Sequence, residues 1–193
     1  MSYAIIPARG GSRRIPRKNI RLFHGLPMIA YAIRAAQDSG MFRHVYVSTE
    51  DAEIAGVATQ HGALVIDRPQ EYAQNEVGTQ EVMRHAVATL NVGPIADVCC
   101  IYPCTPLLTP DDLRAGVPLA RDGSYVIAVN DEHGGDIGWF YCGRGWYFRD
   151  GLPLWRTDTR VYPVESVRAI DINTEDDWRR AEAVYQQLHR RAA

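Results

Sequence analysis

A chain of 193 residues, 46% hydrophobic and 23% charged, has the make-up of one globular domain over residues 1–193, long enough to bury a good core. A net charge of −2 gives the whole surface no pull toward nucleic acid or a membrane, and no apolar run approaches the ~20 residues of a spanning helix. With no signal-peptide layout at the start, the expectation is a cytoplasmic protein with neither nucleic-acid nor membrane partners.

The first apolar run, Tyr3 to Pro7, has the length and content of a buried strand, and Pro7 ends it because proline cannot donate to a ladder. It empties through Ala8 and Arg9 into Gly10 and Gly11, which admit positive φ or a close ligand. Arg13, Arg14, Arg17 and Lys18 follow at once. Cations this close need water, carboxylates or an anion between them. A loop at the carboxyl end of a first strand is also where open α/β sheets bind ligands, so strand, glycines and cations in this order point to a polyphosphate cradle. A solvated basic loop is the plain alternative. The loop is neither a Walker A sequence nor Gly-x-Gly-x-x-Gly.

Pro27 to Asp38 carries Ile29, Ile33 and Ala36 on one helical stripe and stops at Gly40. Val45 to Ser48 reads as a second buried strand. Thr49 to Glu53 opens a helix that ends at Gly62, with its acids at the positive end of the dipole. Ala63 to Ile66 is a third strand, and this alternation has the spacing of βαβ units, which need a mostly parallel sheet. Asp67 to Ala73 cannot stay regular, because Pro69 constrains Arg68 as well. Thr79 looks like the N-cap of a helix over Gln80 to Leu90, and Val98 to Tyr102 is the strongest central strand. Thr109-Pro110-Asp111-Asp112 starts a helix that runs to about Arg121, and Tyr125 to Val129 is the next strand.

Between Trp139 and Trp155 aromatic residues crowd around Gly143, Gly145 and Gly151. A β-hairpin with cross-strand aromatic pairs is the simple reading, and a sugar platform or an oligomer contact is the other. Ser166 to Asn173 reads as a strand, then a helix capped by Thr174 and Asp177 buries Trp178, Ala181, Tyr185 and Leu188. Cys99, Cys100, Cys104 and Cys142 make no disulfide framework; with Cys99 and Cys100 on opposite strand faces they read as core thiols rather than zinc ligands.

Several of these stretches carry a family resemblance. The opening loop, with Pro-Arg-Lys-Asn-Ile at 16–20 and Gly-x-Pro-Met-Ile-Ala-Tyr at 25–31, resembles the amino-terminal signature of the acylneuraminate and pseudaminate cytidylyltransferases, most of all the pseudaminate branch. The resemblance runs over most of the chain but breaks between about 129 and 170. There only Asp131 to Gly135 stands in place of a family insertion that helps to build the sugar site and often the dimer interface.

The resemblance implies a three-layer α/β/α, Rossmann-like nucleotide-diphospho-sugar transferase fold with a mixed, mostly parallel sheet. It implies transfer of CMP from CTP to a nonulosonic acid, pseudaminic or sialic-acid-like, with release of pyrophosphate. Residue by residue, Ala8, Arg9, Gly10, Arg13, Lys18 and Asn19 would hold the nucleotide, Arg9 and Lys18 also serving catalysis. Arg68 and Thr79 would face the base. Tyr102, Thr105 and Phe140 would face the sugar acid, Phe140 lying in Asp136-Ile137-Gly138-Trp139-Phe140-Tyr141, which is similar to a family Asp-Ala-Gly-Gln-Phe-Tyr. A family Asp-Ile-Asp-Thr run holds Mg2+ against the triphosphate; here it is Asp171-Ile172-Asn173-Thr174, so a catalytic Asp171 would share the metal with Asn173, whose carbonyl oxygen brings no charge.

Departures from the family pattern qualify this picture. Asn75 stands where aspartate is usual, and Tyr102 where sialate enzymes carry glutamine, which points away from sialic acid itself. The implied partners are CTP and a sugar acid, the implied assembly a homodimer. Two rivals stay open: a noncatalytic nucleotide- or partner-binding relative, and a nucleotidyltransferase with a smaller acceptor. Asn173 as a simple helix cap is the plain alternative at that position.

Overall fold

The computed structural model describes residues 2–120 and 123–191. Its strands are β1 (Ser2–Pro7), β2 (Leu22–Phe23), β3 (Leu26–Pro27), β4 (His44–Thr49), β5 (Leu64–Asp67), β6 (Asp97–Ile101), β7 (Tyr125–Asn130), β8 (Asp136–Arg144) and β9 (Thr159–Val164). β2 and β3 pair with each other, and the rest form one sheet in the order β5-β4-β1-β6-β8-β7-β9. Within that sheet β8 alone runs against its neighbours.

The helices are α1 (Met28–Asp38), α2 (Ala52–Gln60), α3 (Thr79–Thr89), α4 (Pro110–Gly116), α5 (Gly145–Arg149) and α6 (Glu175–Arg191). Successive strand residues point to opposite faces, so Ala4 and Ile6 enter one core with α1, α2, α4 and α6, while Ile5 enters a second with α3 and α5. The result is the expected three-layer α/β/α arrangement.

This topology places the site. Parallel strands end at one edge, so the chain leaving β1, β4, β5, β6 and β9 emerges there, and the reversed β8 begins there. Near its start β8 is bulged against β7, and Gly138 takes φ +60.

Some expectations need correction. Ser166 to Asn173 is not a strand: β9 fills the edge position and ends at Val164, although Ile170 and Ile172 are buried as their pattern required. The aromatic stretch is half strand and half helix, because Trp146 to Phe148 lie in α5, where the Tyr147 ring stacks on Tyr125 at 4.1 Å. Gly78, not Thr79, caps α3, and Glu81 accepts from the Gly78 N–H at 3.1 Å. α4 gives way to a 3-10 turn over Val117–Ala120, and Arg121 lies outside the described residues. Cys99 and Cys142 face each other across β6 and β8 and are joined as a disulfide, which leaves Cys100 and Cys104 as the free buried thiols among the described residues. Among those residues no helix is long and apolar enough to cross a membrane.

Candidate functional site

A cavity of about 410 Å³ opens at the convergent sheet edge. Its first wall is the loop after β1. Gly10 donates its N–H to Glu50 Oε1 at 2.7 Å, and a Cβ on Gly10 would sit 2.3 Å from Asp51 Oδ2, so only glycine fits against that carboxylate. Asp51 also caps α2 and takes Arg17 Nη1 at 2.6 Å; Arg17, at φ +55, further pairs with Glu53. The Arg17 guanidinium holds the Asp51 carboxyl below its usual range. Part of the cation cluster is therefore neutralised by the start of α2, and Arg9, Arg13, Arg14 and Lys18 are left lining the cavity.

Two of these cations cross the site. Lys18 Nζ donates to the Ile172 carbonyl at 2.6 Å, and Arg14 Nη2 to Asn173 Oδ1 at 2.6 Å. Buried Asn19 donates to the Arg9 carbonyl at 2.8 Å and accepts from Cys104 Sγ at 3.2 Å. Burial pushes that thiol up to about 12, which keeps it protonated and unreactive.

The second wall follows β5. Arg68, 4% exposed, donates to Ser48 Oγ at 3.2 Å and to the Ser48 carbonyl. Burial lowers it to about 10, still cationic at neutral pH. Its Nη1 stands 4.0 Å from Glu50 Oε2, a buried oxygen with no hydrogen-bond partner among the described residues. Glu50 thus joins the loop after β1 to Arg68.

Opposite lie two phenols. The Tyr102 hydroxyl meets that of Thr79, the Tyr102 ring packs edge-on against Tyr141 at 5.6 Å, and Tyr141 donates to Asp136 Oδ2 at 2.7 Å. Burial pushes both tyrosines up, so they stay neutral.

The last wall is the stretch before α6. Asp171 opens on the cavity but is crowded by protein, and that burial raises its pKa while Asn173 and Lys18 pull it back. Asn173 Nδ2 donates to Asp171 Oδ2 at 2.5 Å. The amide's orientation follows from its partners, since arginine can only donate and a carboxylate only accept. The Asn173 carbonyl oxygen is consequently engaged by Arg14. Thr174 and Asp177, as expected, cap α6. A carboxylate oxygen that resists bare ionisation, beside cations suited to phosphate, fits a hard divalent cation, which can take one or two carboxylates and complete its shell with ligand oxygens and water. Asn173 would have to release Arg14 before serving as a ligand.

Arg9, Arg13, Lys18, Asn19, Arg68, Thr79, Tyr102, Asp171 and Asn173 are thus brought to one cavity. Ala8, Gly10, Thr105 and Phe140 are not among its lining residues. Thr105 is buried and donates to the Tyr102 carbonyl at 3.0 Å, and Phe140, 0% exposed, fills the core against Gly116 and Tyr162. Sequence reasoning missed Glu50, Asp136 and Tyr141. For the last two a signal existed, since residues 136–141 carry the family-like pattern, with its outer members and not Phe140 at the cavity.

Residues 3–131 match the family described as Cytidylyltransferase. Over 113 residues the chain is 43% identical to a pseudaminic acid cytidylyltransferase of Campylobacter jejuni, covering 57% of this chain and 49% of that one. Over 132 residues it is 38% identical to N-acylneuraminate cytidylyltransferase A of Danio rerio, covering 67% and 30%. The chain thus spans about half or less of the length of these relatives.

CMP:2-keto-3-deoxy-manno-octonic acid synthetase, solved with CTP, superposes with a TM-score of 0.75 at 15% identity, over 96% of this chain and 98% of that one. A nucleotidyl transferase from Methanothermobacter gives 0.76 at 18%, over 97% and 99%. These likenesses share the fold with the present chain from end to end, while the family match stops where the sequence resemblance breaks. On the strength of residues 3–131, the chain belongs to the cytidylyltransferase family.

Proposed function

We propose that this protein transfers CMP from CTP to a nonulosonic acid of pseudaminic or sialic type. One observation carries the reading: within a chain of this family, Arg9, Arg13 and Lys18 meet Asp171, more than 150 positions away, across a single cavity that also holds Arg68. That cavity is of a size suited to a small-molecule ligand. Arg9, Arg13 and Lys18 bind the phosphates, and Asn19 fixes the loop that carries them. Arg68 and Thr79 read the base, and Tyr102 borders the acceptor.

In the reaction the anomeric hydroxyl oxygen of the sugar attacks the α-phosphorus. The new C–O–P linkage forms as the bond to the β-phosphate breaks; pyrophosphate leaves, and the hydroxyl proton passes to water. No protein nucleophile is needed, so the chain contributes positioning and charge neutralisation. Bound beside Asp171, Mg2+ would neutralise charge on the phosphates. The same reading makes the protein a cytoplasmic homodimer, with exposed Trp155 and Val161 near the β9 edge as apolar surface for the contact.

Calorimetric titration with CTP, ATP, GTP and UTP, each with and without Mg2+, tests the proposal. Mg2+-dependent preference for CTP is expected, followed by pyrophosphate release when a nonulosonic acid is added. Failure to bind any nucleotide would leave a noncatalytic relative. CTP binding with turnover only on smaller acceptors would shift the substrate instead.

A further inference from the structure

Asp171 lies in a stretch with no ladder to hold it. Arg168 and Ala169 donate their N–H groups to the Glu165 carbonyl at 2.8 and 3.0 Å, making a tight turn directly after β9. From that turn Arg168 reaches inward. Its Nη1 and Nη2 meet the two oxygens of Asp112 at 2.9 Å each, and Nη1 also donates to the Leu107 carbonyl at 3.2 Å.

Asp112 is itself fixed. It is 3% exposed and stands in the first turn of α4, where Oδ2 accepts from Thr109 N at 2.8 Å and Thr109 Oγ1 at 2.7 Å. Its Oδ1 accepts from the Tyr162 hydroxyl at 3.0 Å. Burial pushes the Asp112 carboxyl up, but Arg168 and Thr109 outweigh it and keep it ionised. A planar guanidinium on so constrained a carboxylate admits essentially one geometry. Trp139, whose ring lies 5.7 Å from the Arg168 guanidinium, donates Nε1 to the Ile170 carbonyl at 3.3 Å, which continues the hold to the residue before Asp171.

We propose that Arg168 and Asp112 are positioning residues, a clamp outside the cavity that aims the Asp171 carboxylate at the nucleotide phosphates. The consequence for catalysis rests on the reading of Asp171 given above; the mechanical part does not. A merely structural ion pair between α4 and the chain would stabilise the fold without affecting Asp171 in particular, so the test separates the two.

Three proteins are compared: wild type, Arg168→Lys, which keeps the charge but loses the fork, and Arg168→Met/Asp112→Asn, which removes both charges of the pair yet keeps a carbonyl oxygen for Thr109 and an amide N–H that can donate to the Tyr162 hydroxyl. The first readout needs no ligand. Hydrogen exchange at the Ile170 and Asn173 amides should quicken about tenfold or more in both variants, with the amides of β1 and β6 unchanged. The second is the Mg2+ concentration that half-saturates CTP binding in calorimetry, which should rise about tenfold or more, as expected when the support of a metal ligand is removed. The double variant should keep a near-wild-type melting temperature while failing both readouts.

Wild-type exchange in Arg168→Lys, or recovery of both readouts together with stability in the double variant, would overturn the clamp. If wild type shows no Mg2+-dependent CTP binding, the nucleotide reading fails, and the clamp stands or falls on the exchange data.

Discussion

The two charged walls of the cavity are built by different means. The basic loop leaves β1, a central strand paired on both sides with β4 and β6, and is pinned where it starts by Gly10 on Glu50 and by Arg17 on Asp51. The acidic wall follows the edge strand β9 and has no ladder. Side chains from elsewhere hold it: Trp139 at Ile170, Lys18 at Ile172, Arg14 at Asn173 and Asp112 at Arg168. One wall is a consequence of the sheet, and the other is attached to it. Backbone pairing tolerates many side chains, whereas an attached wall depends on each of its few partners, and it lies beyond the residues that match the family.

The largest effect should come from the attached wall. Asp171→Ala removes the carboxylate proposed to face the phosphates, and pyrophosphate release should fall about a thousandfold, in line with the several kcal/mol that a metal-assisted charge clamp supplies. Because burial raises the Asp171 pKa, protonation begins at a higher pH than for an ordinary carboxylate. Mg2+-dependent CTP binding should therefore weaken as pH falls through that raised value, and a titration series in acetate and MES buffers would show it. Full turnover in Asp171→Ala would erase the distinction between the walls.

Next come the cations. Arg9→Ala and Lys18→Ala should each lower pyrophosphate release about a hundredfold through lost phosphate contacts. Lys18 also ties the two walls together at the Ile172 carbonyl, so its loss should raise the Mg2+ requirement as well. Arg9, whose guanidinium donates to the Gln74 carbonyl rather than to the acidic wall, should leave that requirement alone. A wild-type rate in either variant would break the cradle assignment.

Gly10→Ala sharpens the comparison from the basic side. The new methyl would collide with Asp51 Oδ2, and either the loop or the cap of α2 must shift. Overpacking of this kind costs about 1–3 kcal/mol, readable as a lower urea midpoint, with CTP affinity falling alongside. An unchanged midpoint would mean that the loop is less firmly seated than its contacts with Glu50 and Asp51 imply.

How legible each wall was in the sequence follows the same division. Tyr3 to Pro7, Val45 to Ser48 and Val98 to Tyr102 read correctly because a buried parallel strand announces itself as a short apolar run. The stretch before α6 misled because Ile170 and Ile172 have the burial of strand residues without a neighbour to pair with. The true edge strand, Thr159–Val164, contains Pro163 and exposes Val161, so it carries little strand signal. Thr79 offered a cap, but the Tyr102 hydroxyl took its side chain and Gly78 took the role. Arg17 looked like one more phosphate cation until Asp51, 34 residues on, proved to be its partner. Contacts such as Arg168 with Asp112, 56 residues apart, leave no local pattern at all. The family resemblance reached into the attached wall, and the residues it marked there, Asp171 and Asn173, do line the cavity.

The smallest effect is expected at Asn173, and its sign is informative. Asn173→Asp removes the amide that donates to Asp171 and puts a second carboxylate beside the first. Repulsion between them raises the Asp171 pKa further, while Arg14, now opposite a charge, offsets part of it. A second anionic oxygen would be offered to Mg2+, so the concentration that half-saturates CTP binding should fall by about threefold to tenfold, an energy on the order of 1 kcal/mol. Turnover should be kept or raised. If calorimetry instead shows CTP binding lost in Asn173→Asp, the hydrogen-bond chain from Arg14 through Asn173 to Asp171 is what joins the walls, and the cation is secondary to it. The distance between those outcomes is wide enough for one titration to separate them.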